Sequence, residues 1–186
     1  MRKRFTVLVT ALSVLLAAGT PAYADSATSG LAAGKKRVTS RIDLRLAALH
    51  RFSTTLSEAG KVQPAHRAAL NSLIGEQTAG LEALRTKVAG ESNADAVKAD
   101  ATSMVDAYRV FILTGPKVRL TAAIDTELAV AAALSDKADS VKKALSGQVD
   151  TLLAIKPGPD RNAITADLQP VRQAAKTARA QLKTLA

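Results

Sequence analysis

Side chains that could perform catalysis or bind a metal are scarce in this sequence. It contains two histidines, His50 and His66, and no cysteine. The histidines do not stand at the H-x-x-x-H spacing that places two imidazoles on one helix face, and we expect them on different helices. A G-x-S-x-G nucleophile motif is also missing. We therefore predict a non-enzymatic protein without a metal or other cofactor, and we interpret both histidines as solvated surface residues.

Basic side chains are the best candidates for a binding surface. The chain carries 26 Lys and Arg against 16 Asp and Glu, a formal net charge of +10 at pH 7. Candidate anion-binding residues lie toward both ends of the chain: Lys35, Lys36, Arg37, Arg41, Arg45, Arg172, Lys176, Arg179 and Lys183. They suggest binding of an anionic polymer or an anionic membrane surface. The competing interpretation is a solvated face that keeps the protein soluble.

The few aromatic residues help to choose among partners. After residue 24 the aromatic residues are Phe52, Tyr108 and Phe111, and each falls on an apolar stripe of a predicted helix. Exposed rings on which bases stack are therefore not expected, and nucleic acid is an unlikely partner. A cell-envelope polyanion, a protein partner or a second copy of the chain fits the composition better.

The first residues of the chain have the three parts of a secretory signal peptide. Arg2-Lys3-Arg4 is followed by an uncharged run, 5–19, and by Ala22-Tyr23-Ala24. An N-terminal membrane anchor is the alternative, but a spanning helix needs ~20 apolar residues and this run is shorter. We predict a signal peptide over 1–24, cleavage after Ala24 by the general secretion route, and a secreted protein that does not span the membrane.

The hydrophobic pattern of the remaining chain is helical. Apolar residues recur at steps of three and four, without the alternation typical of a strand. We predict an all-α fold, an elongated antiparallel helical bundle in which a three-helix bundle, 39–114, joins a long coiled-coil-like hairpin, 116–186. These parts form a single helical domain, 39–186. It follows a flexible basic tail, 25–38, which is too polar to fold alone.

Glycine, proline and capping residues mark the expected helix ends. Helix 1 should start near Ser40 and stop at Gly60, and helix 2 should run from Pro64 to Gly90. Helix 3 should follow a cap at Ser92 to Asp95. It is interrupted at Gly115-Pro116, and the sequence leaves open whether this step kinks or reverses the chain, although a kink or an offset is favoured over a reversal.

Two long helices should complete the chain. Helix 4 is expected to run unbroken from Lys117 to Ile155, and the sequence Lys156-Pro-Gly-Pro159 should stop it. Helix 5 should open at Asp160, and its apolar residues alternate steps of four and three.

The spacing of large apolar residues predicts where the core is densest. If the chain reverses at Gly60 and again at Gly90, helix 3 runs parallel to helix 1. The residues that then share one level of the bundle form the predicted core: Phe52, Leu70, Leu73, Tyr108 and Phe111. We expect the hydroxyl of Tyr108 to face water or a polar partner.

Three short motifs resemble a group of uncharacterised secreted α-helical proteins of high-GC Gram-positive bacteria. The motifs are Arg41-Ile-Asp-Leu-Arg-Leu-Ala-Ala-Leu49, Tyr108-Arg-Val-Phe111 and Gly115-Pro-Lys117. The resemblance implies neither an activity nor a site. The sequence thus favours an exported non-enzymatic helical protein that acts through surface interaction or self-association. The alternative is a binder of anionic polymers or membranes through the N-terminal region and helix 5.

Overall fold

The structure, a computed structural model, describes the backbone of residues 22–185 and the side chains from residue 29 onward. Within this part every regular element is helical, which confirms the all-α prediction. The elements are α1 Ala22–Glu58, α2 Pro64–Gly90, α3 Ala94–Tyr108, a π-helical turn Val110–Thr114, α4 Gly115–Ala133, a 3-10 turn Ser135–Ala138, α5 Asp139–Leu145, α6 Gln148–Ala154 and α7 Arg161–Leu185. None of the described helices has the length and apolar character needed to cross a membrane. Most of the predicted signal peptide, 1–21, lies outside the described residues.

The flexible tail predicted for 25–38 is helical instead, as the first part of α1. The expected start near Ser40 is therefore wrong. Tertiary contacts explain the difference: Val38 is buried, Leu31 packs against the core, and Lys35 Nζ donates to the Ala89 carbonyl oxygen at 2.8 Å. These contacts stabilise a segment whose own composition is too polar to fold.

The helices α1, α2 and α3 form a first bundle, and α2 has the predicted ends. Pro64 opens α2, and the side chain of Asn93 caps α3 by accepting a hydrogen bond from Asp95 N at 2.8 Å. The most completely buried large side chains of this bundle are Ile42, Leu49, Leu56, Leu70, Leu81, Val88 and Met104. A Cβ placed on Gly34 would lie 3.8 Å from Val97 Cγ1, so the first turns of α3 sit beside the early part of α1.

The interruption between α3 and α4 begins before the Gly115-Pro116 step. Arg109 adopts left-handed backbone geometry, with φ of 37°, and the π-helical turn follows it. Gly115 approaches Phe52 of α1, and Asp125 bonds Gln63 just beyond the end of α1. The α4 helix therefore continues in the direction of α1 and α3, but it is offset from α3.

The continuous helix predicted for 117–155 is wrong. Ser135 has φ of 52° and Gly147 has φ of 71°, and these two left-handed residues divide the segment into α4, α5 and α6. The chain turns back after α4, so that Lys117 near the start of α4 bonds Ile155 just beyond the end of α6. This return buries Val141 and Leu152, which a lone straight helix would expose.

The second half is consequently a bundle of three helical segments, α4, the α5–α6 pair and α7, in which each segment contacts the other two. It replaces the predicted hairpin. Its core includes the periodic residues of α7: Ile164, Leu168, Val171, Ala175, Ala178 and Leu182. This core and that of the first bundle are separate clusters, and Leu153 packs against both.

Three of the five predicted core residues lie in or beside the first core, but Leu73 and Phe111 do not. Leu73 is half-buried, and its neighbour Ile74 takes the buried position on α2. Leu70 is buried, and Phe52 and Tyr108 pack partly buried against the same cluster. Phe111 is 50% exposed. The π-helical turn explains the error, since a wider turn rotates the side chains out of the 3.6-residue register and Val110 and Leu113 take the buried positions.

We predict that Gly115→Ala destabilises the protein while Gly75→Ala does not. A Cβ at Gly115 would stand 2.7 Å from Phe52 Cζ, whereas a Cβ at Gly75 in α2 meets nothing within 4 Å. Overpacking at Gly115 should cost about 1–3 kcal/mol of unfolding free energy, and the Gly75 variant should gain up to about 1 kcal/mol. Urea denaturation of both variants measures the difference. Equal stabilities would contradict the close approach of α1 to the start of α4.

Candidate anion-binding site

The candidate anion-binding residues lie on two different helices. Lys35 to Arg45 occupy α1 in the first bundle, and Arg172 to Lys183 occupy α7 in the second. Exposed members without a hydrogen-bond or ion-pair partner in the described part are Lys36, Arg37, Arg41, Lys176 and Lys183. The residues therefore form two separate basic surfaces.

On α7 the basic stripe is partly neutralised. Arg179 Nε bonds Glu127 Oε1 at 3.0 Å, and the carboxylate of Glu127 is buried. Burial raises the pKa of Glu127, and the nearby Arg179 guanidinium opposes that shift. Arg179 thus stabilises a buried acid of α4, and the free charge that remains on this face is smaller than the sequence suggested.

On α1 the basic residues form a track that leads to Phe111. Arg37, Arg41 and Arg45 follow one another at steps of four, which places them along one helix face. The guanidinium carbon of Arg45 stands 5.5 Å from the centre of the exposed Phe111 ring, within the range of a cation–π contact. Arg161, the first residue of α7, lines the same groove as Arg45 and Phe111. We call Arg37, Arg41, Arg45, Phe111 and Arg161 the arginine track.

The groove at the end of the arginine track has a volume of about 210 Å³ and is lined by cationic and apolar side chains. Val105, Val110 and Ile112 supply the apolar wall. Arg109 also lines the groove, but it donates to Asp106 Oδ1 at 2.9 Å and to Gly158 O at 2.6 Å. No acidic side chain lines the groove.

Arg45 is the least solvated cation of the arginine track. Its Nη1 donates to the Arg41 carbonyl oxygen at 2.9 Å, while its Nε is buried without a partner. Burial, together with the neighbouring Arg41 charge, lowers the pKa of Arg45 from its ordinary value. An anion in the groove would attract both guanidinium groups, which offsets the desolvation of Arg45 and the repulsion between Arg41 and Arg45. The groove is thus suited to an anionic group with an apolar or flat neighbour.

Sequence reasoning identified the arginines of α1 but missed Phe111 and Arg161 as members of the site. Phe111 lies on an apolar stripe when the helix is read with a regular period, and the π-helical turn has no recognised signal in the sequence. Arg161 joins the site because α7 starts beside the α3–α4 junction. Only the packing of the two bundles determines this position.

His66 is not a solvated surface residue, contrary to the prediction. Its Nδ1 lies 2.9 Å from Asp125 Oδ2, and the Asp125 side chain is 0% exposed. Gln63 N donates to the same carboxylate at 2.9 Å. Ser146 lines a groove beside His66, but no hydrogen bond joins the two side chains, so the third contact of a serine-nucleophile triad is missing. The hydrogen bonds of Gln63 and His66 to Asp125 connect the α1–α2 junction to α4.

Comparison with known proteins identified no relative of this chain. No protein-family model matches the chain, and neither a curated protein nor a solved structure is significantly similar to it. Among the described residues there is also no group of three or more His, Cys, Asp or Glu that could hold a metal ion. Function is therefore inferred from the geometry of the sites alone.

We predict that His66→Ala destabilises the fold and that His50→Ala is nearly neutral. The first change removes a hydrogen-bond partner of a fully buried carboxylate, which should cost about 1–3 kcal/mol of unfolding free energy. His50 is exposed on α1, and substitutions at such positions usually stay within about 0.5 kcal/mol. Chemical denaturation at pH 7 measures both. A His66 variant as stable as the parent would show that the two bundles do not depend on this contact.

Proposed function

We propose that this chain is an exported, non-enzymatic protein that binds an anionic polymer of the cell envelope along the arginine track. The observation that carries the proposal is the half-exposed Phe111 ring with Arg45 stacked on it and Arg161 beside it. Aromatic residues, phenylalanine among them, and arginine are enriched in binding interfaces relative to the rest of a protein surface. The proposal includes a signal peptide over 1–24 and kinship with the secreted helical proteins that the sequence resembles.

The chemistry of the track favours a repeating anion. Arginine presents a planar fork of donors that suits carboxylate, sulfate and phosphate oxygens, and it stays charged at all physiological pH values. Successive residues at steps of four stand about 6 Å apart along a helix. A polymer with closely spaced charges can therefore contact Arg37, Arg41 and Arg45 together and reach the groove at Phe111. The apolar face of the ring then contacts the polymer backbone.

Self-association is a second candidate, favoured by two exposed large apolar side chains. Leu44 is 61% exposed on α1, beside the arginine track, and Phe111 is 50% exposed. Static light scattering over a range of protein concentrations tests it. A constant monomer mass would leave polymer binding as the only proposal for this surface.

We also propose that the protein has the elongated shape expected from the sequence. Helices α3 and α4 follow one another in the same direction through the two bundles, and their 15 and 19 residues at the helical rise would together span roughly 50 Å. Such a shape would present the arginine track along its length. Small-angle scattering that gave a near-spherical particle would contradict it.

Retention on immobilised heparin tests polymer binding directly. Arg41→Gln and Arg161→Gln should each elute at lower salt than the parent, and the slope of log affinity against log salt should fall by about one per removed contact. Phe111→Ala should also weaken retention without changing the net charge. Because Phe111 is half exposed, this variant should keep nearly the parent's stability.

Charge-matched controls come from α7. Lys176→Gln and Lys183→Gln remove one positive charge each, and both residues are exposed and lie away from the track. They should change the elution salt much less than the track variants do. Equal effects from both sets would assign retention to net charge alone and overturn the site. An unretained parent protein at low salt would overturn polymer binding altogether.

A further inference from the structure

A second cavity lies where the two bundles meet, and it shares no lining residue with the groove of the arginine track. Its volume is about 390 Å³. Helix α2 supplies Leu73 and Gln77, α3 supplies Tyr108, and α4 supplies Lys117. The segment that follows α6 supplies Ile155 and closes one side.

Lys117 is an unusual group to find in such a cavity because it is a buried cation without an acidic partner. It is 4% exposed, and its Nζ donates to the carbonyl oxygens of Leu153 at 2.9 Å and Ile155 at 2.6 Å. No carboxylate in the described part forms an ion pair with it. An ammonium group has three donors, so one donor is left over.

The charge of Lys117 is therefore poorly compensated. Burial, and then repulsion from Lys156, lower the pKa of Lys117 to about 8. A buried charge that lacks a counterion is destabilising, and an anion placed beside it would recover part of that free energy.

Two further polar side chains line the same cavity. Gln77 is 6% exposed, and its Oε1 accepts a hydrogen bond from Thr114 Oγ1 at 2.8 Å. That bond orients the amide and leaves its NH₂ group as a donor without a partner in the described part. Tyr108 also has no described hydrogen-bond partner for its hydroxyl, but that hydroxyl lies against Gly80, where a Cβ would stand only 2.5 Å from it, and Gly80 does not line the cavity. Lys117 and Gln77 thus bring unused donors to one cavity.

The remaining walls limit what could bind. Leu73, Leu153 and Ile155 are apolar, and so are the alanines that α2 and α3 contribute. One buried ammonium matches a single negative charge better than a polyanion. Glu76, the acidic lining residue, lies at the exposed rim, where its carboxylate accepts from Ser72 Oγ at 2.8 Å. Its repulsion would therefore be screened by water and partly offset by Lys156.

We propose that this cavity binds a small monocarboxylate with an aliphatic tail. The carboxylate accepts from Lys117 Nζ, with the Gln77 amide as a further donor, and the tail packs against the apolar walls. This site is independent of the arginine track, and neither proposal depends on the other.

Calorimetric titration of the full mature chain with octanoate tests the proposal. Octanoate should bind at pH 7, and 1-octanol, which has the same tail without the charge, should bind at least tenfold more weakly. The affinity should fall as the pH rises above about 8, approaching tenfold per pH unit, because the neutral amine of Lys117 no longer attracts the carboxylate. At pH 8 the measured heat should depend on the buffer, since binding draws a proton onto Lys117.

Two variants and one control locate the site. Lys117→Met removes the charge but keeps an apolar chain, and it should lose at least tenfold in affinity. Ala107→Phe should block the cavity while leaving Lys117 in place, so it keeps the proposal falsifiable if the first variant does not fold. Lys183→Met removes a charge from α7 and should bind like the parent. Unchanged binding in a folded Lys117 or Ala107 variant overturns the proposal. No binding by the parent up to about 10 mM octanoate also overturns it.

Discussion

The left-handed backbone of Arg109 is the constraint on which the rest of the structure depends. A residue other than glycine in this region costs about 1–3 kcal/mol and persists only when its surroundings hold it. Hydrogen bonds from the Arg109 side chain stabilise this backbone conformation. The guanidinium donates to the carbonyl oxygens of Gly158 and Pro159 and to the carboxylate of Asp106. These hydrogen bonds join the break between α3 and α4 to the connection that precedes α7. Arg109 and Gly158 are 49 residues apart in the sequence.

The geometry of this junction produces both candidate sites. Because α3 ends at Tyr108 and a wider turn follows, Phe111 faces outward beside Arg45. Because α4 then starts with an offset, Lys117 faces the end of α6 and leaves a cavity between the bundles. The two sites differ in their physics. Salt screens the electrostatic interactions of the exposed arginine track, whereas those of the buried Lys117 ammonium are screened much less.

A few directional contacts hold the two bundles in place. Each bundle has its own apolar core, and apolar contact alone does not specify an angle or a register. Buried hydrogen bonds specify both the angle and the register. Thr114 donates to Gln77 across the junction, and Gln63 and His66 bond Asp125 at the far end of α1. Leaving any of these groups unpaired in the interior would be costly, so the bonds select one arrangement of the bundles.

The sequence by itself determined the elements whose signals lie within one helical turn. The helical period of the apolar residues is local, and so are Pro64 at the start of α2, Gly90 at its end and the Asn93 cap of α3. These features follow from backbone chemistry that needs no distant partner. The arginines of α1 were recognised for the same reason, because their spacing alone places them on one face.

Only the tertiary structure decided the features that depend on distant contacts. The polar segment 25–38 is helical because its residues Leu31, Lys35 and Val38 contact the rest of the first bundle. The segment 117–155 is divided because its return along α4 buries apolar area that a straight helix would expose. The positions of His66 and Lys117 depend on partners 59 and 38 residues away. Spacing within a helix specifies which side chains share a face, but the partner of that face is chosen by the free energy of packing the whole chain.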